Sequence, residues 1–195
     1  MIGVDIEGAV DFFREALKYS LWKYPKEVKW AAKLSSIVIT PDVFLGEYIW
    51  IVLASGFSMK AARKVEKKLY GRRGKLHLDA VRHAGKRKAI ETATKEYVNW
   101  YRSFMSAPTD EIRMYFLDTL PYIGPITKYH LAKNLGLEVA KPDRHLVRLA
   151  GKWGFRDVQE MCEMIRMRQG YSVAVVDQVL WRYCADHPSV AGGRT

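Results

Sequence analysis

The sequence predicts an all-α protein. Apolar residues recur at helical spacing along most of its length, Pro, Gly, Ser, Thr and Asp punctuate the segments where helices start and stop, and no alternating run marks a strand. Its 195 residues are 49% hydrophobic and 12% aromatic, enough for one compact unit or for two small lobes.

The elements follow in order. Asp5 to Tyr19 carries Ile6, Val10, Phe13 and Leu17 at helical spacing, and a second helix near Glu27 to Leu34 follows Pro25. Pro41-Asp42 opens a strongly apolar helix from Val43 to about Ser55, with Pro early in the first turn as helices prefer. Gly56-Phe57-Ser58 breaks it, and Ser58 is placed to cap a basic helix running to Tyr70. Gly71-Arg72-Arg73-Gly74 reads as a turn. A helical stretch over roughly Leu78 to Met105 is expected to break near Gly85, and Thr109 caps the next helix. Ile126 to Leu135 is helical and stops at Gly136, a natural position after a helix C-terminus. Pro142-Asp143 starts another helix, ending at Gly151 or Gly154. Helices over about Asp157 to Arg168 and Ser172 to Cys184 complete the chain, with a frayed tail from Pro188 to Thr195.

Composition narrows the function classes. The longest apolar run, Tyr48 to Ala54, suits a buried helix and is too short to cross a bilayer. No basic segment precedes an apolar one at the N-terminus, so a cytoplasmic, nucleoid-associated protein is expected. Cys162 and Cys184 are too few for a four-cysteine zinc or iron–sulfur site and read as small buried hydrophobes.

Charge points to a polyanion. The formal net charge is +11, and the stretch from Lys60 to Lys88 alone supplies +10, with only Glu66 and Asp79 against twelve basic residues. Lys60, Arg63 and Lys64 open that stretch on the predicted basic helix. A solvated helix face would explain an ordinary charge run, but a surplus this large repels itself unless a partner neutralises it. Nucleic acid is the commonest such partner and an anionic membrane the second, and the protein is expected to act as a monomer.

Asp118 to Thr127 contains a candidate motif. A helix ends, Leu120-Pro121-Tyr122-Ile123-Gly124 forces a tight hairpin, and a second helix begins at once. Backbone N–H groups at the start of that helix lack helical partners and suit a phosphate. Taken alone, the same pattern also fits a plain αα-hairpin.

The segment resembles the helix-hairpin-helix of the HhH-GPD superfamily of DNA glycosylases, whose consensus there is Leu-Pro-Gly-Val-Gly. Lys141-Pro142-Asp143-Arg144-His145-Leu146-Val147-Arg148 stands in the place of that superfamily's Val-Asp-Thr-His segment, at similar spacing. Glu47 to Ser58 resembles its first core helix and the loop that probes the duplex. The resemblance spans about residues 40 to 150. It implies a two-lobed helical fold that binds double-stranded DNA, one lobe covering 36–135 and the other 1–35 with 136–195. The four-cysteine cluster of some members is absent, so no iron–sulfur cluster is expected.

Carried over residue by residue, the resemblance implies that the carbonyls of Asp118, Leu120 and Ile123 hold a monovalent cation, K+ or Na+, that meets a phosphate; no other cofactor is required. The N–H groups of Tyr122, Gly124 and Thr127 would face the same backbone, with Lys128, Arg144 and His145 on the DNA-contacting surface. Asp143 would be catalytic. Departure of a base leaves positive charge on the deoxyribose, and a nearby carboxylate stabilises that charge and orients or deprotonates the attacking water. Without the hairpin, Asp143 would be read simply as a helix cap, a role compatible with catalysis.

Departures from the pattern sharpen the chemistry. Members of the superfamily that also nick DNA carry a Lys two residues after the second hairpin glycine. Ile126 stands there and cannot form a Schiff base. The expectation is a monofunctional enzyme that leaves an abasic site. Tyr122 replaces the first hairpin glycine. Gly56-Phe57-Ser58 occupies the loop where many relatives have Gln, so Phe57 is a candidate wedge, with a buried core Phe as the alternative, and Ser58 lies beside it. Trp50 and Glu47, with Tyr48, Trp100 and Tyr101, are candidates for the pocket of an extruded base, against the plainer reading of core aromatics and a surface Glu. Small Ser55 and Gly56 favour a bulky or hypermodified pyrimidine, as in phage DNA attacked in antiviral defence. Repair of uracil, alkylated or oxidised bases is the alternative, followed by a base-modifying enzyme or a non-catalytic DNA-binding module on the same fold.

Overall fold

A computed structural model of the chain describes residues 3–71 and 76–190, and all that follows concerns those residues. The predicted turn at Gly71 to Gly74, the basic residues Arg72, Arg73 and Lys75, and the tail from 191 onward lie wholly or partly outside them. The described residues form helices, one 3-10 turn and a single isolated antiparallel bridge between Tyr70 and Leu76, with no β-strand among them. None of these helices is long and apolar enough to cross a membrane.

The chain divides into two compact units, Val38–Leu135 and Met1–Ile37 with Gly136–Thr195. The first is built around α3 (Pro41–Ala54), which buries Phe44 and every residue from Tyr48 to Leu53. A helix apolar on all sides must be covered on all sides. Here α4 (Met59–Leu69), α5 (Ala84–Ser106) and α7 (Thr127–Asn134) pack on it, and α6 (Asp110–Asp118) packs on α5 and α7. Phe44 meets Phe104 of α5 at 5.7 Å between ring centroids.

The second unit joins the two ends of the chain. Helices α1 (Ile6–Lys23) and α2 (Pro25–Leu34) pack with α10 (Val173–Asp186), while α8 (Arg144–Lys152) and α9 (Val158–Gln169) complete the group. Phe13, Leu146, Leu149, Met161, Ile165, Val176 and Leu180 lie at its centre. Cys162 and Cys184 are buried free thiols within it, and burial, helped by the Asp143 charge, pushes the Cys184 thiol up to about 11.

Start signals are clear. Side chains of Asp5, Thr40, Ser58, Thr109, Asp143, Asp157 and Ser172 each accept a backbone N–H in the first turn of the following helix. The stretch expected as one helix from Leu78 is instead a 3-10 turn, Leu78–Ala80, followed by α5. The break falls before Gly85 because the His83 ring caps α5, its Nδ1 accepting the Lys86 N–H at 3.4 Å. Gly136 has φ +84, and a Cβ there would lie 2.9 Å from the Leu34 carbonyl oxygen, so only glycine fits.

Candidate nucleic-acid interface and active-site residues

The hairpin keeps a tight turn even though it lacks the first glycine. Tyr122 sits at φ +65, the one non-glycine residue with positive φ among those described. The left-handed conformation costs a residue with a Cβ roughly 1–2 kcal/mol, so contacts must hold it there. The Tyr122 ring stands edge-on to His83 at 5.8 Å between centroids, and a Cβ on Gly85 would lie 3.2 Å from its Cε2. The Tyr48 hydroxyl, buried in α3, donates to the Pro121 carbonyl at 2.5 Å. Burial keeps that phenol protonated by raising its pKa.

The hairpin N–H groups expected to meet a phosphate are only partly free. Gly124 donates its N–H to Thr127 Oγ1 at 2.7 Å, and the Thr127 hydroxyl in turn reaches the Gly124 carbonyl at 3.2 Å. A phosphate at Gly124 would have to displace this side-chain bond. The Leu120 carbonyl accepts the Ile123 N–H at 3.1 Å, which closes the turn and leaves one lone pair for any further partner. Lys128 pairs with the Asp118 carboxylate across the hairpin at 2.9 Å, so its ammonium already has an anionic partner. Ile126 is 44% exposed at the N-cap of α7.

The basic stretch separates into a surface and one buried residue. Lys60, Arg63, Lys64, Lys67 and Lys68 of α4, with Arg82, Arg87 and Lys88, are exposed. Lys86 is the correction: it is 1% exposed and cannot touch a phosphate. Its ammonium donates to the carbonyls of Leu53 at 2.9 Å and Ser55 at 2.6 Å, and burial lowers its pKa. It therefore closes the C-terminal end of α3, where unpaired carbonyls carry partial negative charge.

The remaining pocket candidates fall into two sets. Phe57 is 42% exposed, with its ring over the Lys86 ammonium at 3.6 Å, and Ser58 caps α4 beside it. Trp50 is 9% exposed, and the Arg63 guanidinium covers its ring at 4.0 Å, so Trp50 belongs to the packing of α4 on α3. Tyr48 is likewise core, edge-on to Trp100 at 5.3 Å. Glu47 is half-buried rather than exposed. Its Oε2 accepts the Asn134 amide at 2.7 Å, and burial pushes its carboxyl above the ordinary glutamate range despite opposing pulls from Asn134 and Arg63. The Asn134 Oδ1 is buried with no hydrogen-bond partner.

Asp143, in the other unit, ends a loop pinned from two helices. Gln159 of α9 accepts the Ala140 N–H at 2.7 Å and donates to the Glu138 carbonyl at 2.9 Å. Asp177, buried in α10, accepts the Lys141 N–H at 2.7 Å. Pro142 has no N–H to satisfy, and Asp143 turns its own N–H back to the Lys141 carbonyl at 2.7 Å. One Asp143 oxygen then caps α8 by accepting the His145 N–H at 2.9 Å, which leaves the second for another role. Arg144 and Arg148 are exposed, but the His145 ring, assigned to DNA from sequence, is 9% exposed with an unpartnered Nδ1. Its backbone N–H, not its ring, meets Asp143.

Sequence reasoning missed Gln159 and Asp177. A lone acid in the apolar run Val173 to Leu180 was a usable signal for Asp177, whereas nothing local distinguishes Gln159 from a surface glutamine.

No family model matches the sequence, and no curated protein matches it significantly. Among solved structures, the 8-oxoguanine DNA glycosylase of Thermotoga maritima matches at a TM-score of 0.64 with 16% identity, over 90% of this chain and 95% of that one. Likeness at this identity speaks for the fold. The chain thus has the all-α helix-hairpin-helix fold of the DNA glycosylases.

Proposed function

We propose that the protein is a monofunctional DNA glycosylase: it extrudes a modified base from double-stranded DNA and hydrolyses the bond between that base and its deoxyribose, leaving an abasic site. The observation that carries this reading is Asp143, a carboxylate with one oxygen committed to capping α8 and the other uncommitted, on a loop fixed by Gln159 and Asp177. Catalytic groups work best when their own positions are locked by such bonds.

In this reading the C1′–N bond breaks with its electron pair leaving on the base, and water forms the new bond to C1′. Asp143 stabilises the developing positive charge and takes the proton that water releases. The exposed cations of α4, Lys60, Arg63 and Lys64, meet phosphates. The turn at Tyr122 has the left-handed residue that the hairpin needs, so the carbonyls of Asp118, Leu120 and Ile123 would hold K+ or Na+ and the ion would attract a phosphate. Ile126 supplies no amine, which supports hydrolysis without strand cleavage.

For the substrate, a bulky or hypermodified pyrimidine is favoured by open space at Gly56, where an added Cβ would meet nothing within 4 Å. An oxidised purine is the second reading, favoured by the fold shared with an enzyme that acts on 8-oxoguanine. Mass spectrometry of free base released from hypermodified phage DNA, 8-oxoguanine duplexes and uracil duplexes separates the two. Release of base by the wild type and none by Asp143→Asn is the expected result. An unchanged base composition throughout, with DNA binding intact, would leave a DNA-binding module; an altered base still attached to its sugar would mean a base-modifying enzyme.

A further inference from the structure

Burying an ammonium away from carboxylates is expensive, and a lysine in a basic surface stretch has every opportunity to reach water. Lys86 does not. Its three N–H donors face two carbonyls at the end of α3 and the ring of Phe57. All of these lie on or beside the short connection from α3 to α4. That connection is otherwise held by local bonds: the Phe57 N–H donates to the Ala54 carbonyl at 3.2 Å, Gly56 takes φ +69, and Ser58 caps α4. Lys86 is the tie that comes from elsewhere in the sequence. The result is a large apolar ring, 42% exposed, presented on a loop bonded to both flanking helices and to Lys86.

The same turn of α5 also receives the hairpin. Tyr122 packs against His83 and Gly85, and its ring centre lies 5.9 Å from the Lys86 ammonium. The first turn of α5 is therefore a shared seat for Phe57 and for the left-handed residue of the hairpin. An aromatic over an ammonium is attracted by about 0.5–2 kcal/mol, enough to bias its orientation without locking the loop.

We propose that Lys86 is a positioning residue that holds Phe57 oriented for insertion into the duplex where the target base leaves the stack. This deepens the glycosylase reading and rests on it. A preset wedge reduces the ordering cost met when the side chain enters the gap.

The test uses a duplex with a tetrahydrofuran abasic site opposite 2-aminopurine, alongside an intact duplex of the same sequence. Wild type is expected to prefer the abasic duplex and to change the 2-aminopurine fluorescence as Phe57 enters the gap. Phe57→Ala and Lys86→Met should each lower that preference about tenfold, and Lys86→Met should hold affinity for the intact duplex within about twofold. The pair Phe57→Ala with Lys86→Met should be no worse than Phe57→Ala alone, because Lys86 acts through Phe57. A merely structural lysine would add its loss to that of Phe57. Should Lys86→Met fail to fold, Lys86→Gln, which keeps a donor for the carbonyls, enters the same cycle.

Undiminished abasic preference in the Lys86 variants, or losses that add, overturns the proposal while leaving the glycosylase reading intact. Wild type with no abasic preference and no fluorescence change overturns the wedge, and absent base release in the separate mass-spectrometric assay overturns the glycosylase reading.

Discussion

The Tyr48 hydroxyl reaches from the core of the 38–135 unit to the Pro121 carbonyl at 2.5 Å, so the hairpin is tied to the apolar helix around which that unit is built. Tyr48→Phe removes this bond and keeps the ring. Pro121 is exposed, so water can satisfy its carbonyl, and the expected loss is about 1 kcal/mol of stability, read from denaturant unfolding. DNA affinity should fall as well, since a looser turn no longer presents its N–H groups in one geometry. Unchanged affinity would show that the hairpin is rigid without α3.

Substitution can separate the proposed catalytic role of Asp143 from its observed role as the cap of α8. Asn accepts the His145 N–H as Asp does, so Asp143→Asn should keep the α8 cap and the fold while abolishing base release. Affinity for DNA should hold or rise, because a negative charge near phosphates is removed. Asp143→Ala should lose base release and also about 1 kcal/mol of stability with the cap. Single-turnover assays and thermal unfolding on the two variants together decide between catalyst and cap.

Much of this was legible in advance because it rests on local chemistry. Ser58, Thr109 and Asp143 announce helix starts by residue type, and Pro121 with Gly124 announces the hairpin. What could not be read depends on contacts between distant segments. Lys86 looks like its basic neighbours until α3 is seen to end above it, and Trp50 looks like a stacking platform until Arg63 is seen to cover it. His145 reads as a DNA contact from its motif, yet its place on the inward face of α8 buries the ring. Tyr122 breaks a glycine rule locally and is held by His83 and Gly85, some 40 residues earlier in the chain.

Glu47 makes stability depend on pH. Its folded carboxyl titrates above its unfolded value of 4.5, chiefly because burial disfavours the charge. The folded state therefore holds a proton that the unfolded state releases, and this contribution is full below the unfolded value and lost as pH rises through the folded one. Glu47→Gln is neutral throughout and should remove that slope. At neutral pH the variant should be more stable than wild type by about 1 kcal/mol, as expected when a desolvated charge gives way to a neutral group of the same shape. Parallel unfolding curves for the two proteins from pH 4 to 7 would refute it.

Salt dependence distinguishes the exposed from the buried cations. If Lys60 and Lys64 neutralise phosphates, each change to Ala should make the slope of log affinity against log salt shallower by about 0.9. Lys86→Met removes one formal charge too, but a buried ammonium releases no counterion on binding, so its slope should match that of wild type. A shallower slope for Lys86→Met would mean that Lys86 leaves its site in the complex.

Ile126 offers the most direct test of reaction type. It stands two residues after Gly124, 44% exposed at the N-cap of α7, with a side chain that has no nucleophile. Borohydride added during reaction should therefore trap no covalent adduct between wild type and DNA. Ile126→Lys places an amine at that position without burying its charge, so the fold should tolerate it. An amine that reaches C1′ of the abasic product forms an imine with its aldehyde by loss of water, and borohydride reduces that imine to a stable secondary amine. The variant is expected to give a trapped species on denaturing gels, together with strand nicking. A trap with wild type would place the nucleophile on an amine elsewhere in the chain and end the monofunctional assignment. Base release by Ile126→Lys without any trap would mean that the start of α7 does not approach the sugar at all.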